Sequence, residues 1–474
     1  MTSFVQMLVV VLVGEFLRRC LETLLFAFTG PLAKIPGPWL CKVSTLPHKL
    51  ALIQGRNVER YRDLMKRYGD TVRVAPNLVL VSGRDAVYQI VVEDDLPKGA
   101  FYHGIQANPK APDLQTETDK VAYKQRRRWL SPGFSISYLK GLEPILAGCL
   151  REFEEFLHAK CAEAEGGVAT VDIYGLIANL ASDIISATSL GGSFEQVKTG
   201  KTYYKDRIIN RLKRTSIFAQ FPILKYVPLV PPIEDPEIED MLDRVLQKRR
   251  QMPKEQIHQD LLQILIDTNE EHPDVYTVAH VKEDMRLFMI AGSDTSSTTA
   301  TFAIKLLLEH PDALQKLVAE LDSAFPSKSS PITMERTQSL EYLNAVINEA
   351  MRVQPIIATA PKGISRETPE PRIVNGYEIP KNASPFPHSP RKSHRTNSFL
   401  PDRTACPNHR DRARRRQLSS PRRVSTRALA RARRWGGRGQ ASLSALLGWS
   451  AELSGSAVRA AGAATHPRDA VPAL

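Results

Sequence analysis

A helical pattern of apolar positions runs without a break through residues 277–309 and is closed by His310 and Pro311. At 1.5 Å per residue such a helix is ~50 Å long and crosses a whole domain. Inside it, the apolar run Leu287-Phe288-Met289-Ile290 meets Ala291-Gly292-Ser293-Asp294-Thr295-Ser296. Glycine in a helix interior costs ~1 kcal/mol against alanine, and Ser or Thr hydroxyls turn back onto the preceding turn and bend the helix. A local conflict of this kind in an otherwise favourable helix marks a site. Something flat approaches the backbone there, with a proton donor held beside it. A buried helix with a small-residue crossing point and a solvent-facing Asp294 is the other reading of the same residues.

The pattern before this helix changes character several times. Residues 7–13 and 24–28 are apolar, but Glu15, Arg18, Arg19 and Glu22 interrupt them. A spanning helix wants about 20 mostly apolar residues, so residues 1–29 predict a membrane anchor that is either a marginal span or a helix lying in the interface. No basic stretch precedes the run, which speaks against a cleaved signal peptide. Residues 30–42 then read as a Pro-rich hinge, non-helical over Pro31 to Pro38. Residues 57–68 predict a helix stopped by Gly69, and two alternating runs flanking Pro76-Asn77 predict a hairpin. Residues 84–93, 141–165 and 171–189 are helical patterns, and residues 221–236 break the series with a Pro-rich apolar stretch. After the long helix, residues 312–325 and 339–353 are helical and 376–382 read as a second hairpin. The fold class is mainly α with a small β lobe.

Charge locates a boundary that periodicity alone leaves vague. The net charge is +13, but residues 383–474 hold 17 Arg and one Lys against four acids. The first 382 residues carry 46 basic and 47 acidic side chains, so the basicity belongs to the tail and is no signal for nucleic-acid binding by the domain. The tail also lacks Ile, Tyr and Met, and Arg, Ser, Ala and Pro dominate it. Such a composition does not bury a core, so residues 383–474 are expected to be disordered and 43–382 to form the folded domain. The five cysteines show neither a disulfide framework nor a Cys-x-x-Cys pair, which suits a reducing compartment.

Four short motifs fall in a fixed order. Ala291-Gly292-Ser293-Asp294-Thr295-Ser296 matches the pattern (A/G)-G-x-(D/E)-T-(T/S) of the distal helix of cytochromes P450. Arg127 stands four residues after Tyr123 and shortly before Ser131-Pro132-Gly133-Phe134, close to the family's W-x-x-x-R segment with Tyr in place of Trp. Alone, three successive arginines on a helix read as a solvated face. Glu349-Ala-Met-Arg352 follows Thr295 by 54 residues, and Arg366 precedes the 376–382 hairpin by ten. An acid and an arginine at i, i+3 are by themselves an ordinary surface pair. Together these residues resemble a microsomal, fungal-type cytochrome P450 over residues 1–382.

The resemblance implies a haem-dependent monooxygenase that inserts one oxygen atom of dioxygen into a small organic substrate, a secondary metabolite by this analogy. It implies haem b, with Arg127 and Arg366 on its propionates, Ala291 and Gly292 as the oxygen groove, and Thr295 and Asp294 as the proton-delivering pair. Glu349 and Arg352 become the buried core pair that fixes the loop beneath the haem. Electrons come from an NADPH–cytochrome reductase at the cytosolic face of the endoplasmic reticulum membrane; no nucleic acid is expected as a partner.

The family's haem loop, F-x-x-G-x-R-x-C-x-G, is not found. Around Cys406 only Phe399 fits, while Asp402, Thr404 and Asn408 hold the places of Gly, Arg and Gly. A thiolate ligand needs a shaped loop with donors around the sulfur. Three readings follow: a monooxygenase gene whose product is truncated or read out of frame after Asn382, and so inactive; a non-catalytic, membrane-anchored relic whose basic tail binds nucleic acid or anionic lipid; or an enzyme with an unusual haem ligand. The sharp joint loss of Ile, Tyr and Lys favours the first. On that reading, translating the DNA beyond codon 382 in the other two frames is expected to reveal a Phe-x-x-Gly-x-Arg-x-Cys-x-Gly loop within some tens of codons. Its absence from every frame removes the frame-shift explanation.

Overall fold

The computed structural model describes residues 2–200, 203–221, 224, 235–257, 260–327, 330–356, 365–387 and 424–425. Helix α1 (Thr2–Phe28) leads into a 3-10 turn over Pro31–Lys34 and the short helices α2 (Trp39–Val43) and α3 (Leu46–Ile53). The hinge expected to avoid helix thus begins with a tight coil, because Pro31 opens it at a position where the missing N–H is not needed. No helix among the described residues is long and apolar enough to cross a membrane.

Helix α4 (Asn57–Tyr68) ends at Gly69, whose φ of 95° only glycine adopts cheaply, and β1 (Thr71–Ala75) and β2 (Leu78–Val81) then form the expected antiparallel hairpin. Helix α5 (Arg84–Tyr88) runs into a π turn over Gln89–Glu93. Next come α6 (Phe101–Ile105), α7 (Lys120–Leu130), α8 (Ile136–Gly141), α9 (Glu143–Glu163), β3 (Thr170–Val171) and α10 (Ile173–Ser189). They are followed by α11 (Gln196–Thr199), α12 (Tyr203–Gln220), α13 (Pro236–Gln251) and α14 (Leu261–Glu271). The long helix is α15 (Val278–Glu309), started by a reciprocal capping box between Thr277 and His280. After it stand α16 (Pro311–Ala324), α17 (Met334–Gln338), α18 (Glu341–Val353) and the hairpin β4 (Arg372–Val374)–β5 (Tyr377–Ile379).

The folded part continues past the boundary read from composition. Strand β6 (Ser384–Pro387) joins the lobe sheet parallel to β2, with Pro385 opposite Val79, and Phe386 is buried edge-on to Tyr61. Composition missed it because four residues are too few to move an average. Strand β7 (Val424–Ser425) pairs antiparallel with β3. The disorder expected for the rest of residues 383–474 lies outside the described residues, as does most of the 221–236 stretch.

Helix α15 is the spine of the α domain. Val281, Met285 and Phe288 pack with α13 and α14; Ala300 and Ile304 pack with α9 and α10; Ala303 and Leu307 pack with α16 and α18. A tie near its start fixes the loop between α6 and α7. Asp284, fully buried, accepts from Leu114 N at 2.7 Å, Tyr276 Oη at 2.7 Å and Arg126 Nη2 at 2.9 Å. Burial opposes the charge on Arg126, but Asp284 outweighs it. Burial, then Asp284, holds the Tyr276 phenol well above its ordinary pKa. The solvated-face reading of the arginine run therefore fails at Arg126, which sits one turn before buried Leu130 and looks inward.

At Gly292, Ile185 of α10 comes close. A Cβ placed there would lie 2.6 Å from both Cγ1 and Cδ1 of Ile185 and 3.1 Å from its Cβ. Gly292→Val is therefore expected to destabilise the domain by about 1–3 kcal/mol through overpacking. Pairing it with Ile185→Ala recovers part of the loss, which thermal melts of the single and double variants measure. Additive losses would show that the two residues do not press on each other.

Candidate functional site

One side of α15 stays open while the others are covered. Leu287, Ile290, Ala291, Asp294, Thr295 and Thr298 are partly exposed, whereas Phe288, Met289, Gly292, Ser293, Ser296 and Ser297 are buried. The open positions recur at i, i+3, i+4, i+7, i+8 and i+11 and so form one stripe. Ala291 and Thr295 lie one turn apart on it, and Thr295 Oγ1 donates to Ala291 O at 2.6 Å. That bond occupies the hydroxyl proton and leaves the oxygen's lone pairs on the open side.

Gly292 does not share that groove. It faces Ile185, so its missing side chain serves helix packing rather than an opening beside Ala291. Of the two residues expected to line an oxygen groove, only Ala291 lies on the open side of the helix, because neighbours on a helix point about 100° apart. Asp294 is held from the α10 side: Tyr174 Oη donates to its Oδ1 at 3.4 Å. Burial, and then the charge of Asp294, raises the Tyr174 pKa, so the phenol stays a proton donor at neutral pH. Asp294 and Thr295 thus stand at adjacent positions, the acid braced by α10 and the hydroxyl braced by its own helix.

The two arginines assigned to carboxylates are linked through Lys98. Lys98 and Arg366 face each other across an isolated antiparallel bridge, and a Cβ on Gly99 would touch Ser365 Oγ at 3.0 Å. The Lys98 ammonium lies 4.2 Å from the Tyr123 ring centroid, and Tyr123 Oη accepts from Arg127 Nη1 at 3.3 Å. Lys98 spends its three donors on the carbonyls of Leu114 (3.2 Å), Gln115 (2.8 Å) and Glu117 (2.9 Å). It clamps the loop rather than offering a free hand. Arg127 and Arg366 have no ion-pair partner among the described residues, and both are partly buried. Two such guanidiniums beside one clamp are a fitting receptor for a ligand with two carboxylates.

Glu349 and Arg352 do form their pair, bidentate at 2.7 Å for both bonds. It is not the buried pair expected: the Arg352 side chain is 49% exposed, because α18 turns Leu343, Val346, Ile347 and Ala350 toward its core and leaves Asn348 and Arg352 outward. Cys406 lies outside the described residues. Cys20, Cys41, Cys149 and Cys161 sit in α1, α2 and α9, away from the open face of α15, and burial raises the thiol pKa of Cys149 to about 12. The described residues therefore fit the carboxylate end and the oxygen side of a haem, and none of them is placed to ligate its iron.

Sequence reasoning missed Lys98, Arg126, Tyr174 and Asp284. A signal existed for two of them. Asp284 falls between Val281 and Phe288 on an apolar stripe, and Arg126 falls a turn from Leu130; a charge on a core-facing position needs a partner. Lys98 and Tyr174 carried no such mark, since their partners come from distant chain segments.

Comparison with known proteins places these features in a lineage. The family model described as cytochrome P450 matches residues 35–399. The chain is 33% identical over 365 residues to the cytochrome P450 monooxygenase LUC2 of a Fusarium species, covering 76% of this chain and 71% of that protein. It is 33% identical over 383 residues to the cytochrome P450 monooxygenase acrD of Aspergillus aculeatus, covering 79% and 75%. A crystal structure of the cytochrome P450 CYP102L1 superposes with a TM-score of 0.61 at 19% identity, covering 84% of this chain and 87% of that one.

The clamp at Lys98 has a pH signature. Burial lowers its pKa from 10.5 to about 8. Between these values the unfolded chain binds more protons than the folded one, so this site's contribution to stability rises with pH. From pH 7.5 to 9.5 the wild type is expected to gain about 2 kcal/mol relative to Lys98→Met, at ~1.4 kcal/mol per pKa unit. Denaturation midpoints of the two proteins at both pH values test this; parallel shifts would show that another group titrates.

Proposed function

The chain belongs to the cytochrome P450 family, and from that premise we propose that its domain is built to oxygenate a small organic compound of secondary metabolism. The observation that carries this reading is the open stripe of α15 with Ala291 and Thr295, together with Arg127 and Arg366, which have no ion-pair partner among the described residues. Haem, when bound, supplies the activation of dioxygen. The protein's part is positioning and proton handling. Arg127 and Arg366 hold the two propionates, each guanidinium presenting a planar fork to a carboxylate. Ala291 keeps the helix backbone approachable. Thr295 Oγ1, whose own hydrogen is held by Ala291 O, turns its lone pairs to the open side and there accepts a hydrogen bond that orients a proton-bearing group. Asp294, steadied by Tyr174, is the adjoining carboxylate that exchanges protons with bulk solvent.

The electron donor in this reading is a membrane-bound NADPH–cytochrome reductase, and the working place is the cytosolic face of the endoplasmic reticulum. What supports a membrane surface is α1. Its charged residues Glu15, Arg18, Arg19 and Glu22 share one face and bond to each other, while Phe16, Leu17, Leu21 and Leu24 stand exposed around the rest. That division suits a helix lying in the interface.

The haem-ligand loop is not among these 474 residues, so the polypeptide of this sequence is read as a haem-thiolate scaffold without its thiolate. Reduced protein loaded with haem and carbon monoxide is expected to give no thiolate-type spectrum, because the electron-rich fifth ligand is missing. Replacing residues 388–474 with the other-frame product is expected to restore that spectrum and NADPH-dependent oxygenation. If the present chain gives the spectrum and Cys406→Ala abolishes it, Cys406 is the ligand and the reading of the tail falls.

A further inference from the structure

Glu283 stands one turn before Leu287 on α15 and so continues the stripe formed by Leu287, Ile290, Ala291, Asp294, Thr295 and Thr298. Unlike them it is buried. Arg211 of α12 reaches it from across, and Arg286 stands beside it on α15. The stripe therefore ends at a cluster of charge.

Within that cluster the guanidinium donors exceed the acceptors they reach. Arg211 Nη2 lies 4.0 Å from Glu283 Oε2, too far for a hydrogen bond, although the arginine side chain is only 13% exposed. Among the described residues nothing accepts a hydrogen bond from it. Arg207, one turn earlier on the same helix, instead donates Nη1 to both carboxylate oxygens of Asp235, at 2.7 and 2.8 Å. Arg286 Nη2 donates to Glu239 Oε2 at 2.8 Å. Its Nη1 lies 2.6 Å from Glu283 Oε1 but out of line for a hydrogen bond, and its buried Nε has no acceptor among the described residues. Burial, and then the charge of Arg286, hold the Arg211 pKa below its ordinary value, and the carboxylates of Glu283, Glu239 and Asp113 do not make up the difference. Buried donors left unmet are costly.

The fold sets the position of Arg211. Helix α12 packs on α6 and α10. A Cβ on Gly104 of α6 would lie 3.3 Å from Ala219 Cβ, and Lys49 Nζ donates to Gln220 O at 2.6 Å. We propose that Arg211, with Arg286 behind it, seats the carboxylate of the substrate, and that this substrate is an elongated apolar monocarboxylic acid lying along the open stripe of α15. This deepens the oxygenation reading given above and rests on it. A guanidinium fork suits a carboxylate, and Leu287, Ile290 and Ala291 supply the apolar wall beyond it. Ala291 lies ~12 Å along the helix axis from Glu283. An extended chain advances ~1.2 Å per bond, so the carbon about ten bonds from the carboxylate comes to Ala291.

Isothermal titration of the full chain with dodecanoate and with methyl dodecanoate tests the seat. The acid is expected to bind about tenfold more tightly than the ester, because only the acid meets the free donors as an anion. In Arg211→Gln the acid is expected to lose about tenfold and the ester nothing, so the preference disappears; a packing fault would weaken both alike. Glu283→Gln removes the competing carboxylate at constant shape. It is expected to strengthen the acid and leave the ester unchanged, and it serves if Arg211→Gln fails to fold. A preference unmoved in either folded variant overturns the seat, as does wild type that binds both equally or neither. None of these results touches the oxygenation reading, whose own test is the carbon monoxide spectrum.

Discussion

The close approach of α10 to α15 at Gly292 is the constraint on which the rest depends. Helix α15 must pack on three sides to be stable and stay open on the fourth to be useful. A 32-residue helix can do both only if the packed sides are satisfied by near neighbours. Small residues make that possible: Gly292, Ser293, Ser296, Ser297 and Ala300 let α10 sit close, and their cost in helix propensity is offset by burial of Ile177, Leu180 and Ile184. The same crossing brings Tyr174 to Asp294, so the packing contact and the proton-bearing groups are one arrangement.

Buried charge ties the remaining pieces to this spine. Asp284 gathers a backbone amide, a phenol and a guanidinium; Lys98 gathers three carbonyls. Each such group is costly to bury and more costly to leave unmatched. Their effect is therefore to make loop positions definite rather than to add much net stability. The loop of residues 106–119 is clipped from α15 on one side and from Lys98 on the other, and on the helix that follows it Arg127 stands one turn from Tyr123.

The elements of this protein were largely legible in its sequence. Periodicity and stop signals located α4, the β1–β2 hairpin, α10, α15 and α18 within a few residues, because those are local properties of spacing, glycine and proline. The order and spacing of Thr295, Glu349, Arg352 and Arg366 carried the family, since motif spacing survives when each motif alone is ambiguous. What the tertiary structure alone decided was direction and partnership. Gly292 faces Ile185 and not the side with Ala291; Arg126 faces Asp284 while its neighbour Arg127 has no acid partner among the described residues; Glu349 and Arg352 pair without being buried. Spacing along a chain specifies which residues share a face. Which face meets another segment, 158 residues away for Arg126 and Asp284, is settled only when both are brought into one core.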